Sequence, residues 1–98
     1  MPGKYILDGK TPKLCDDIVE WGAWLENAER TVASDTVKSS SVSTIFLGVD
    51  HSLGNGPPLL FETRVFGGKL DQEVNRYSTW EEAEAGHQEM CERVRKAD

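Results

Sequence analysis

The spacing of apolar positions changes along the chain, and each change marks an expected element. Leu14, Ile18, Trp21, Leu25 and Ala28 recur at steps of four, three, four and three, which is one face of an amphipathic helix. Thr11-Pro12 supplies a start signal, with Thr11 as N-cap and Pro12 in the first helical position. Asp16 and Asp17 then fall early in the helix, where negative charge suits the dipole. These signals predict a helix over 12–29, weakened at Gly22 by about 1 kcal/mol relative to alanine. Before it, Lys4 to Leu7 is a short extended segment closed by the turn dipeptide Asp8-Gly9.

Past residue 30 the pattern turns to strands. Thr31 to Lys38 is a weak strand, followed by a turn at Ser39-Ser40-Ser41. Val42 to Val49 is rich in β-branched and aromatic residues and is apolar on both faces, which predicts a central strand. Asp50 to Pro58 (DHSLGNGPP) is a loop holding two glycines and two prolines. In Leu59 to Phe66, Phe61 and Val65 face one way and Glu62 and Arg64 the other, as in a half-buried strand. Gly67-Gly68 opens the next turn, and Glu73 to Tyr77 is a weaker strand.

The C-terminal segment carries the clearest helix signals. Ser78 and Thr79 each have a glutamate three residues on, Glu81 and Glu82, so either forms a capping box. Ala83, His87, Met90 and Val94 form the apolar stripe, and Arg93, Arg95 and Lys96 sit at the end where cations suit the dipole. The expected fold class is α+β: an antiparallel sheet of three to five strands with both amphipathic helices packed on one face. At 98 residues the chain is expected to form one domain, 1–98. The other face of the sheet is then exposed or shared with a partner.

Charge narrows the function. Lys+Arg 11 against Asp+Glu 17 gives a net charge of -6, which argues against direct nucleic-acid binding and against an anionic membrane surface. It suits a partner with a basic surface, reached by long-range attraction. No apolar run approaches a membrane span, and the segment Met1 to Asp8 lacks the apolar stretch of a leader. The expected location is the cytoplasm. Cys15 and Cys91 are then expected to be buried thiols.

No constellation rises to a catalytic motif. His87 and Cys91 share a helix face, and Cys15 with Asp16 and Asp17 approaches them if the helices pack together. There is no C-x-x-C or H-E-x-x-H spacing, so packing is the expectation and no metal or cofactor is expected. Asp50-His51 is followed directly by Ser52, poor geometry for a nucleophile and base in one short loop; turn chemistry at Asp50 is expected. Gly54-Asn55-Gly56 lacks the lysine and following helix of a phosphate loop. Trp21 reads as core, and Trp80 as packing against the sheet. Trp24, on the flank of the stripe, is the tryptophan best placed to serve as an exposed anchor, with packing the slightly favoured reading. Glu81, Glu82, Glu84, Glu89 and Glu92 make the second helix strongly acidic.

The central segment VSTIFLGVDHSLGNGPPLLFETRVFGG, followed by RYSTWEEAEAGH, resembles a family of small bacteriophage and prophage proteins of uncharacterised activity. The matching features are Leu47-Gly48, Asp50-His51, Gly54 to Pro58, Leu59 to Thr63, Phe66 to Gly68, Tyr77 to Ala83, and a segment like Tyr5 to Gly9. The resemblance implies a phage-encoded accessory protein working in the cytoplasm of a bacterial host. The expected function is non-enzymatic binding of a host or phage protein, of the kind an anti-CRISPR inhibitor of host defence performs. A second copy of the chain is a further candidate partner. The expected binding residues are Trp24, Asp50, His51, Asn55, Arg64, Glu81, Glu82 and Glu84. The competing expectation is a protein that sequesters a nucleotide signal, with Trp24, Arg64 and the Gly-Pro loop forming its pocket. An enzyme ranks last.

Overall fold

Gly9 redirects the beginning of the chain. At φ +64 it takes the first position of the two-residue Gly9-Lys10 turn, a place glycine fills without strain. The chain therefore folds back as a hairpin of β1 (Tyr5–Asp8) and β2 (Thr11–Leu14), with Leu7 opposite Pro12 and Asp8 opposite Thr11. A two-stranded ribbon has two open edges, so a proline without an N–H is accommodated. This overturns the helix start at Thr11-Pro12. Helix α1 spans Ile18–Asn27, and Asp17 caps it, its carboxylate accepting from the N–H of Val19 at 2.9 Å and of Glu20 at 3.2 Å. The helix is shorter than 12–29 at both ends.

The structure, a computed structural model, describes residues 3–98. Met1 and Pro2, the first two residues of the segment examined for a leader, lie outside them. After α1 the strands β3 (Thr31–Val37), β4 (Ser40–Phe46), β5 (Phe61–Phe66) and β6 (Val74–Tyr77) form a four-stranded antiparallel sheet in sequence order, and α2 spans Trp80–Ala97. The molecule is α+β, with β4 inside the sheet as its pattern predicts. The Ser39–Ser41 turn contracts to Lys38-Ser39, because Val37 pairs directly with Ser40. The strand expected to reach Val49 stops at Phe46, and the one expected from Leu59 starts at Phe61.

One face of the sheet is apolar, and α2 covers it, contacting all four strands. Val37, Val42 and Val65 pack on Met90, Cys91 and Val94 at one end. Phe46, Leu60, Phe61 and Ala83 form a second cluster at the other, joined by Tyr5, Leu7, Trp24, Val32, Tyr77 and Trp80. The two-helix layer expected on this face is a one-helix layer: α1 packs on β1 and reaches the core through Trp24. The hairpin is tied to the end of β4 by Tyr5 N–H donating to Gly48 O at 2.8 Å. On the opposite face of the sheet, Ser43 pairs with Arg64 and Ile45 with Glu62. Glu62 is nearly buried there between the guanidinium groups of Arg64, at 3.4 Å, and Arg76, at 3.2 Å. No described helix is long and apolar enough to cross a membrane.

Candidate functional site

The loop after β4 is organised by one carboxylate. Asp50 accepts from the N–H of Ser52 at 2.8 Å and of Leu59 at 2.9 Å, and from the Ser52 hydroxyl at 3.0 Å. Those N–H groups, Ser52 first and Leu59 next, hold the Asp50 carboxyl below its ordinary value. Asp50 thus clasps both ends of the loop, the turn role expected of it. His51 is exposed, with Nδ1 2.8 Å from Val49 O. Asn55 is exposed near the tip of the loop, as is Leu53.

The other expected binding residues are dispersed. Trp24 is half-buried and meets Phe46 edge to face, centroids 5.8 Å apart; most of its ring serves packing. Arg64 lies on the opposite side of the sheet, beside Glu62 and with Nη1 3.3 Å from Gln72 Oε1. The sheet therefore separates Trp24 from Arg64, and the pocket expected from those two with the Gly-Pro loop does not assemble. Glu82 is occupied by the cap of α2: it accepts from the N–H of Ser78 and Thr79, while Thr79 Oγ1 accepts from Glu82 N–H at 3.1 Å. Glu81 and Glu84 are exposed and form no ion pair among the described residues. Trp21 is half-buried and donates from Nε1 to Gly48 O at 3.0 Å. Trp80 stacks edge to face on Phe61 at 6.2 Å, under the Lys10 ammonium at 5.5 Å.

The densest chemistry lies between the two apolar clusters. Thr63 Oγ1 is 2.5 Å from Thr44 Oγ1, Thr44 Oγ1 is 2.7 Å from His87 Nδ1, and His87 Nε2 is 2.7 Å from Asp35 Oδ2. Thr44, Thr63 and His87 are fully buried, whereas the Asp35 side chain on edge strand β3 is 53% exposed. Cys91, one turn beyond His87, completes a group with Asp35 and His87 in which one donor atom from each lies within 4.8 Å of the others. Burial raises the Cys91 thiol above its ordinary value, and the Asp35 carboxylate raises it further. Cys15, which would approach this pair only if the two helices packed together, is elsewhere: its buried thiol is 3.7 Å from Asp17 O at the hairpin–helix junction.

Sequence reasoning found His87 and Cys91 and missed Asp35, Thr44 and Thr63. The signal for Asp35 was alternation. Val37 faces the core, so Asp35, two residues earlier and opposite Val42, shares its face. The order Thr44–His87–Asp35 places hydroxyl, imidazole and carboxylate in line, but the Thr44 hydroxyl is sealed inside the core and no substrate reaches it. Comparisons of the chain with protein-family models, with curated proteins and with solved structures find no match.

Proposed function

We propose that the chain is a non-enzymatic phage or prophage accessory protein that acts in the bacterial host by binding another protein with a basic surface, as an inhibitor of host defence does. The observation that supports this reading is α1. Its sequence, IVEWGAWLEN, is strongly apolar, yet none of its residues is fully buried. Ile18 is 62% exposed, Val19 76% and the neighbouring Leu14 59%. Apolar residues clustered in this way on a small domain mark an interaction surface. Exposed Asp16, Asp17 and Glu20 alternate with them along the sequence, so the segment combines apolar contact with negative charge. That combination suits a cationic partner, whose encounter the net charge of -6 accelerates.

The test is affinity capture with the tagged chain from a bacterial host extract, in parallel with an Ile18→Ser/Val19→Ser variant. A specific partner should be retained by the native chain, lost by the variant, and released more readily as salt rises. Equal capture by both would remove α1 as the binding surface. Sedimentation of the purified chain reveals whether the surface is covered by a second copy.

A further inference from the structure

We propose that Asp35, His87 and Cys91 form a binding site for a zinc-class divalent cation, independent of the surface on α1. The three donors are a carboxylate oxygen, an imidazole nitrogen and a thiol sulfur within 4.8 Å of one another. This mixed set is the one borderline ions such as Zn²⁺ and Co²⁺ select, and it is poorly suited to Mg²⁺ or Ca²⁺. His87 and Cys91 are one turn apart on the buried side of α2, so the helix fixes their separation.

The donors, now within 4.8 Å of one another, have to rearrange by about an ångström to share one ion. Bond lengths of about 2.0–2.3 Å in a tetrahedral site put neighbouring donors roughly 3.5 Å apart. Asp35 Oδ2 is now 2.7 Å from His87 Nε2, so the carboxylate has to withdraw by somewhat less than about 1 Å. It is free to do so from an exposed position on an edge strand. The same exposure gives the ion an entry path and leaves a fourth position open to water, as in zinc sites with three protein ligands.

The surroundings also fit. A ligating histidine ordinarily donates its other N–H to a neighbouring oxygen, which fixes the tautomer. Thr44 Oγ1 is in that place, 2.7 Å from Nδ1 and itself held by Thr63. His87 Nε2 now donates to Asp35 Oδ2, so binding through Nε2 moves that proton to Nδ1, which then donates to Thr44 while the Thr44 hydroxyl turns to donate to Thr63; the imidazole stays neutral. The Cys91 thiol gives its proton to solvent, so one proton is released per ion.

The experiment is titration of the chelator-treated chain with Co²⁺ and then Zn²⁺, read by absorption and by thermal unfolding. The native chain should bind one Co²⁺ with a thiolate-to-cobalt charge-transfer band, and Zn²⁺ should displace it and raise the Tm. Cys91→Ser should lose the band, Asp35→Asn should weaken binding at least about tenfold, and Cys15→Ser should leave both readouts intact. Asp35→Asn changes an exposed side chain, so it decides the matter even if Cys91→Ser fails to fold. Absence of the band in the native chain, its survival in Cys91→Ser, or unchanged affinity in Asp35→Asn would overturn the assignment.

Discussion

Gly48 shows how much a single position determines at the junction of three elements. It sits at φ +80, and a Cβ there would lie 2.9 Å from Leu25 Cδ1. Its carbonyl accepts from both Trp21 Nε1 and Tyr5 N–H, so this left-handed turn, open to glycine, holds α1 and the hairpin to the segment after β4. Gly48→Ala should cost about 1–3 kcal/mol, measured by urea unfolding. A change near zero would mean that the junction is soft. Asp50 acts nearby through charge. Its folded carboxyl titrates below its ordinary value, so its stabilisation is fully present above the unfolded pKa and is lost as pH falls through the folded one. The stability gap between the native chain and Asp50→Asn should therefore be widest at neutral pH and shrink below about pH 4. A pH-independent gap would show that the loop responds to shape and not to charge.

The elements were legible where local signals agreed, and misread where two signals shared the same residues. Helix α2 combined a stripe, a capping box and terminal charges, and all three pointed one way. The choice between Ser78 and Thr79 is settled by geometry, since Thr79 exchanges hydrogen bonds with Glu82. Thr79→Ala should cost about 1 kcal/mol and loosen the first turn, visible as faster amide exchange at Glu82. Helix α1 was overextended because Thr11-Pro12 is both a good helix start and an acceptable strand in a free-edged hairpin. The long-range pairing of Tyr5 with Leu14 decided between them, and no local pattern carries that information. The true start, Asp17 with Glu20 three residues on, was in the sequence but had been absorbed as dipole charge inside a longer helix. For the candidate site the same limit applied. His87 and Cys91 were visible as a helix spacing, but Asp35 arrives from a weak strand whose register is set by pairing with β4. The expected binding residues scattered because their faces depended on that same sheet.

At the scale of the whole molecule, the core is two apolar clusters joined by a polar belt of Thr44, Thr63 and His87. The belt links the elements in three places: β4 to β5 through the threonine pair, the sheet to α2 through His87, and α2 to the edge strand β3 through Asp35. Its members are buried, so each hydrogen bond matters mainly through what its loss strands. Thr44→Val keeps the shape of the side chain but leaves both the Thr63 hydroxyl and His87 Nδ1 without this partner, and should cost about 1–3 kcal/mol. Thr63→Val should cost less, because Thr44 keeps His87. The Thr44→Val/Thr63→Val double variant should then be less destabilised than the two singles added together, since removing Thr44 has already orphaned Thr63. The expected coupling is about 0.5–3 kcal/mol, within the range for residues of one network, read from urea midpoints at constant m-value. Strict additivity would mean that the threonines act as separate core residues, and that α2 is held to the sheet by its apolar stripe alone.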